Sequence, residues 1–367
     1  MRLKLQNKKD KIEKMIDLKQ YGYIETEKPD DGLAPACITA VHRERYELIS
    51  GQGTGHGKLK TSVYYGRELH PFPTVGDFVL IKEVEGGDCQ IVKTLPRKSY
   101  FSRLDPDPSG FREQAIAANF DTVFIMQSLN QNFNLRRIER YLTLTWQSGA
   151  TPVIILTKAD LALDPRQQVS EVEMIAAGVD IMVTSSKTGV GLKQLEKYLQ
   201  PGKICVFLGS SGVGKSSLLN ALMGEDVMAV KEIREDDARG RHTTTHRQLF
   251  TLPCGTHIID TPGMRELGMW ETGDGIQSAV SDVFADIEEH LGTCKFSDCK
   301  HENEPGCAIA AAIERGEIEH GRWDSYQKLQ REALYAENKL KALRMKSAKN
   351  QEVAMFTRKL KTKKAEW

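Results

Sequence analysis

The stretch Gly209-Ser210-Ser211-Gly212-Val213-Gly214-Lys215-Ser216 fits the pattern GxxxxGK[ST] at every fixed position. Glycines at these positions let the backbone curl so that several N–H groups face phosphate oxygens. Lys215 supplies a cation for the outer phosphates, and the Ser216 hydroxyl, with Ser217 beside it, suits a Mg²⁺ shell. An apolar run over 203–209 precedes the loop, and a helical pattern stopped by Gly224 follows it. Strand, loop and helix together imply nucleotide binding, without separating ATP from GTP. Downstream, Asp260-Thr261-Pro262-Gly263 closes the apolar run "THIID". An acid there can hold the Mg²⁺ shell, and Gly263 can turn its N–H to the terminal phosphate. Between the two motifs lies "ARGRHTTTHRQ" (238–248), polar and rich in hydroxyls at Thr243, Thr244 and Thr245. Such a segment is expected to close over the γ-phosphate and Mg²⁺ when nucleotide binds.

A second constellation lies earlier in the chain. Thr157-Lys158-Ala159-Asp160 ends the apolar run "VIILT". The Asp160 carboxylate can accept from N1–H and the N2 amino group of guanine, a donor pair that adenine lacks. Lys158 can lie along the base plane. Ser185-Ser186-Lys187 ends the next apolar run and suits a loop over the guanine carbonyl. Four matching residues alone are weak evidence. Two matches at successive strand tips are stronger, because ligands gather at the carboxyl ends of parallel strands. The base motif precedes the phosphate loop, the reverse of the usual order. Joining old termini and opening new ones elsewhere keeps every strand tip in place, and termini that lie close together tolerate this.

A third constellation is Cys294-x4-Cys299-x-His301-x5-Cys307. Three thiolates and an imidazole complete a tetrahedral Zn²⁺ set with no open position, so the site should be structural. The remaining cysteines, Cys37, Cys89, Cys205 and Cys254, lie in strand patterns or at a turn and read as small buried hydrophobes.

The elements that carry these residues fall into three rhythms. Short strand-like runs at 36–49, 58–69, 76–84 and 89–96, separated by glycine-containing turns, predict a small sheet or barrel. Five-stranded barrels of this size often bind oligonucleotides. Lys58, Lys60, Arg67, Arg97 and Lys98, with Tyr64, Tyr65 and Tyr100, would suit RNA, although ordinary strand aromatics on a solvated face explain them better. A polar loop is expected over 102–114. From 122 to 260 strands and helices alternate, which predicts a parallel sheet covered on both faces. A helical region near 278–291, the cysteine cluster and a basic tail follow. Residues 328–367 hold 12 Lys and Arg against 4 Asp and Glu, a net +8 that leaves −7 for the rest of a chain of net +1. Such a tail suits a polyanion or a solvated helix. The 367 residues suffice for two or three domains, and 40% hydrophobic against 28% charged residues fits a globular chain. No apolar run approaches the roughly 20 residues that span a bilayer, and residues 1–23 lack an apolar signal core.

With TKAD, SSK, GSSGVGKSS, GRHTTT (240–245), DTPG and the cysteine cluster together, residues from about 36 to 320 resemble the circularly permuted GTPases of small ribosomal subunit maturation, the RsgA-like family. The resemblance implies a multidomain chain. Its parts would be an extension (1–32), an OB-like barrel (33–100), a circularly permuted phosphate-loop GTPase core (101–275), an α-helical zinc-binding domain (276–330) and a basic helical tail (331–367). It implies GTP, Mg²⁺ and one structural Zn²⁺, with slow GTP hydrolysis stimulated by the small subunit. The partners would be that subunit and its rRNA, with no membrane, for a cytoplasmic monomer. Thr157 stands where the family commonly has Asn, so the amide that braces the phosphate loop is missing, which bears on guanine affinity rather than on guanine choice. Met264 follows Gly263 and cannot orient water. The resemblance assigns that role to His242. The alternatives are a GTP-dependent RNA- or ribosome-binding module with negligible hydrolysis, and a metabolic ATP-using enzyme, against which Asp160 argues.

Overall fold

The structure is a computed structural model that describes residues 16–25, 29–30, 32–42, 45–64, 71–84, 86–104, 113–228, 247–260, 275–302, 304–335 and 338. The described residues fall into two compact units, those within 1–101 and 115–267, and those within 102–114 and 268–367.

The first unit begins with five strands that close on themselves: β1 (Ala34–Val41), β2 (Tyr46–Ser50), β3 (Gly53–Leu59), β4 (Phe78–Lys82) and β5 (Cys89–Thr94). They pair in the ring β1-β2-β3-β5-β4-β1, so of the small sheet or barrel that their spacing predicts the chain forms the closed barrel. Period-two alternation turns Ala36, Ile38, Tyr46, Leu48, Val79 and Ile81 inward to meet Ile91. The run 58–69 is not one strand. β3 ends at Leu59 and a helical turn, α1 (Thr61–Tyr64), follows. β3 instead occupies Gly53–Leu59, beginning at the last of the residues 51–53 whose glycines signal a turn. Gly57 has a reason to be there: a Cβ on it would lie 2.9 Å from Leu48 Cδ2. The described part of the N-terminal extension is packed, with Leu18, Tyr21 and Tyr23 joining Cys37, Phe78 and Leu80 outside the barrel.

Two strands where a loop is expected, β6 (Tyr100–Leu104) and β7 (Glu113–Ala118), form a separate two-stranded sheet. The rest follows the alternating pattern: β8 (Thr122–Ser128), α2 (Leu135–Gln147), β9 (Thr151–Thr157), α3 (Arg166–Ile175), β10 (Asp180–Val183), β11 (Ile204–Leu208), α4 (Lys215–Met223), β12 (Arg247–Thr251) and β13 (His257–Asp260). The helix expected over 191–199 is a 3₁₀ turn at Leu192–Lys197. The strand order is β10-β9-β8-β11-β13-β12, parallel except for β12, and β12 continues antiparallel onto β1. Barrel and core therefore share one eleven-stranded sheet. β8 and β11 are buried along their whole length, as central parallel strands must be. Phe124, Met126 and Phe207 of the sheet pack with Leu218 and Leu219 of α4.

The junction of barrel and core is polar. Asp77 is fully buried, and Arg97 donates to both its oxygens at 2.8 and 2.7 Å and to the Phe72 carbonyl at 2.8 Å. Tyr64 is buried with its hydroxyl against Thr94. These two members of the basic and aromatic set are structural.

The second unit holds α5 (Gly275–Val283), α6 (Ala285–Glu288), α7 (Ala308–Glu314) and a helix over 320–335, α8. Arg322 of α8 is buried, paired bidentately with Asp286 at 2.7 Å, and its guanidinium lies 4.7 Å over the Phe284 ring. Among the described residues no helix is long and apolar enough to cross a membrane.

Candidate nucleotide site and metal centre

The loop Gly209–Gly214 leaves the buried strand β11 and enters α4 at Lys215. Glycine is required at its start: a Cβ on Gly209 would lie 2.8 Å from the Met126 carbonyl and 2.9 Å from Val213. Gly214 has φ +107, a conformation that L side chains rarely adopt. The result is a tightly curled backbone loop around the Lys215 side chain. Lys215 Nζ donates to the carbonyls of Gly209 and Ser210 at 2.8 and 3.1 Å. Ser211 is exposed, Gly212 has φ +74, and Val213 is buried in the core. Ser216 and Ser217 follow in the first turn of α4 and are half-buried.

The base-motif residues stand at adjacent strand tips, as the rotated order requires. Thr157 ends β9, next to β8, and β8 lies beside β11. Its hydroxyl donates to the Val213 carbonyl at 2.6 Å and lies 3.4 Å from the Gln127 carbonyl. The expected loss of a brace is thus corrected, because the threonine hydroxyl supplies one to the phosphate loop. Lys158 takes a left-handed φ of 61°, which turns the chain over the tip. Asp160 is exposed, and its Oδ1 accepts from the buried Ser185 hydroxyl at 2.7 Å. The Ala159 N–H donates to the Thr184 carbonyl at 3.0 Å, which ties the tips of β9 and β10 together. Ser186 is half-buried and Lys187 exposed beside them. Asp260 is buried at the end of β13, next to β11. His242, Thr244 and Gly263 lie outside the described residues.

Sequence reasoning missed Asn132 and Arg137. Asn132 Nδ2 donates to Ser210 Oγ at 2.9 Å, and Arg137 NH1 lies 3.3 Å from the same oxygen and 3.2 Å from Asn132 Oδ1. Gln127 holds the Asn132 carbonyl at 2.6 Å from the tip of β8. Asn132 and Arg137 both lie in the polar run "LNQNFNLRR" that follows the wholly buried strand β8, and nothing in that run itself points to the phosphate loop.

In the second unit the four metal-type ligand atoms lie within 4.8 Å of one another. His301 Nδ1 is 3.5, 3.7 and 3.5 Å from the sulfurs of Cys294, Cys299 and Cys307. Sulfur and nitrogen bound tetrahedrally to zinc lie about 3.6 Å apart, given bonds of about 2.3 and 2.1 Å. The spacing therefore fits, and the set could hold such an ion. Backbone N–H groups of Ala308 and Ala310, at the start of α7, point to the sulfurs of Cys294 and Cys307 at 3.2 and 3.4 Å. The Ala308 contact is the main reason the Cys294 thiol is held below its usual range. Of the other cysteines, Cys37 and Cys205 are buried, Cys89 is half-buried, and Cys254 is exposed at a turn, contrary to expectation.

The RsgA GTPase family model matches residues 94–270. A small ribosomal subunit biogenesis GTPase RsgA 2 from Listeria monocytogenes is 43% identical over 323 residues, 87% of this chain and 90% of that one. Its namesake from Lactiplantibacillus plantarum is 43% identical over 325 residues, again 87% and 90%. The chain belongs to the RsgA GTPase family. The crystal structure of YjeQ from Thermotoga maritima, 29% identical, matches with a TM-score of 0.58 over 82% of this chain and 99% of that one. YloQ, described as a circularly permuted GTPase, shares the fold at 23% identity and a TM-score of 0.54, over 84% and 98%. An ABC transporter model also matches residues 192–360, a span that contains the phosphate loop common to many ATPases and GTPases. RsgA membership implies GTP and Mg²⁺, and the glycine cradle with Lys215 fits a nucleotide's phosphates.

Proposed function

We propose that this chain is a GTPase that binds the small (30S) ribosomal subunit and assists its late maturation, with hydrolysis stimulated by the subunit. The observation that carries the reading is the meeting, at one edge of one sheet, of the Asp160–Ser185 pair, Thr157 and the phosphate loop. The names of the RsgA relatives from two organisms support the choice of partner.

In this reading Asp160 selects guanine, with Lys158 along the base and Ser185, Ser186 and Lys187 closing over it. The backbone of 209–214, Lys215, Ser216 and Ser217 hold the phosphates. Ser216, Asp260 and Thr244 supply the Mg²⁺ shell, and Gly263 meets the terminal phosphate. A Mg²⁺ ion there neutralises charge on the transferred phosphoryl group. His242 orients the attacking water, since Met264 cannot. Cys294, Cys299, His301 and Cys307 hold one structural zinc. β12 starts at Arg247, directly after the segment that contains His242, and pairs with β1 of the barrel. RNA contact at the barrel thus has a short path to the switch. We expect a monomer working in the cytoplasm.

Met264 also favours a second reading, a GTP-dependent binding module with negligible hydrolysis. Turnover of GTP and ATP, with and without purified small subunits, separates the two. A rise in GTP turnover with subunits supports the first reading, and its loss in His242→Ala supports the role of that residue. Flat turnover with intact GTP-dependent binding supports the second.

A further inference from the structure

An open cleft of about 390 Å³ lies at the opposite edge of the core sheet from the phosphate loop. It is lined by Lys98 and Ser99, just past the barrel, by Thr122 and Thr151 at the starts of β8 and β9, and by Lys197, Tyr198 and Lys203. The seven residues of β8 separate it from the nucleotide-site edge, roughly 20 Å by strand rise.

Its charge is unusual. The ammonium groups of Lys98 and Lys203 both reach the same oxygen, Asp121 Oδ1, at 2.9 and 3.0 Å. The other oxygen of Asp121 accepts from the Ile204 N–H at 3.0 Å. One carboxylate, 18% exposed, therefore fixes two cations and leaves one positive charge uncompensated, while the lysines remain 43% and 54% exposed. The Asp121 carboxyl stays below its usual range: desolvation opposes this, but the Ile204 N–H and the two lysines outweigh it. Lys197 lies 4.9 Å over the Tyr198 ring and is paired at 2.6 Å with Asp180, which also accepts from the Tyr198 hydroxyl, so the excess charge of the cleft comes from Lys98 and Lys203.

We propose that this cleft is a docking site for the RNA backbone. A phosphodiester sits between Lys98 and Lys203, and the next nucleotide lies against Lys197 and Tyr198. The inference rests on the ribosomal reading above and deepens it, by naming a contact surface. Two ammonium groups held a few ångströms apart by a shared carboxylate match the two free oxygens of a phosphodiester. Their order is already established before binding, so less side-chain entropy is lost. A neighbouring aromatic ring suits a strand that carries bases as well as charge.

The test compares the wild type with the triple variant K98Q/K197Q/K203Q and with its charge-keeping counterpart K98R/K197R/K203R. Affinity for purified small subunits is measured across a salt series in a non-hydrolysable GTP analogue, then repeated on protein-free small-subunit rRNA. The two phosphates lost, one between Lys98 and Lys203 and one at Lys197, should lower the slope of log K against log salt by roughly 1.4, at about 0.7 per phosphate. The drop is expected on both targets, with the Arg variant near wild type and basal GTP turnover within about twofold. An unchanged slope in the Gln variant overturns the proposal. A drop on subunits but not on protein-free rRNA also overturns it, pointing to an acidic protein surface. No wild-type binding to subunits at all would sink the ribosomal reading itself.

Discussion

The hydroxyl of Thr157 donates to the carbonyl of Val213, 56 residues away, at 2.6 Å. Val213 sits mid-loop between Gly212 and Gly214, both at positive φ, so its carbonyl direction sets the shape of the cradle. Thr157 is 5% exposed, and water cannot readily replace the bond. Replacing Thr157 by Val keeps the shape of the side chain and leaves a buried acceptor unpaired, a cost of about 1–3 kcal/mol. We expect Thr157→Val to weaken GTP binding by about tenfold, whereas Thr157→Ser keeps it. Calorimetric titration with GTP checks this, and equal affinity in Val and wild type would remove the hydroxyl from the account.

That bond also marks where sequence reading stops. The α2 helix was legible residue by residue, because apolar residues recur at helical spacing and Asn134 caps Arg137 N–H at 3.0 Å. The phosphate loop and the metal ligands were legible because each motif is contiguous or nearly so. Thr157, Asn132 and Arg137 reach the loop only because β9 and β8 stack beside β11, and nothing local to them encodes that. β3 was illegible for a different reason. "GTGHGKL" has little strand preference of its own and is extended because β2 and β5 pair with it.

Asp160 offers a direct test of base choice. With Ser185 holding Oδ1, the carboxylate faces solvent ready for two donors. Asn in its place would accept one hydrogen bond and donate one, which suits xanthine and not guanine. Asp160→Asn should move the GTP-to-XTP preference by on the order of 10⁴, as sites built on paired polar groups do. Competition binding with the two nucleotides reads this out, and unchanged GTP preference would count against Asp160 as the selector.

The cysteine cluster predicts about one equivalent of zinc in purified protein. Cys294→Ser should leave less than half an equivalent. Because metal binding is linked to folding, a strong chelator should lower the thermal midpoint of the wild type and leave that of the variant unmoved. Elemental analysis with thermal melts decides it. Full zinc content in the variant would mean a different ligand set.

The buried pair of Arg97 and Asp77 should be costly to break and cheap to replace. The Asp77 carboxyl is raised above its usual range, chiefly by desolvation, although Arg97 pulls the other way. Arg97→Met leaves that acid buried without its cation and should cost about 3–5 kcal/mol. The double change Arg97→Met with Asp77→Leu should recover part of the loss. Denaturant unfolding measures both, and additive losses would show that the two residues do not act as a pair.

His257 predicts acid sensitivity. Its ring stacks on Tyr21 at 4.4 Å, and Nε2 meets the Gln20 carbonyl at 2.8 Å, so Nε2 carries the hydrogen. Nδ1 then accepts from Thr251, 3.0 Å away. Burial lowers its pKa below 6.5, more than the Gln20 contact raises it. Below about pH 6.5 the unfolded chain binds a proton that the folded chain does not. The stability from neutral His257 is therefore whole above that pH and is lost as pH falls towards the depressed folded value. Thermal midpoints of the wild type should drop more steeply from pH 6.5 to 5 than those of His257→Gln. Parallel curves would place the acid sensitivity elsewhere.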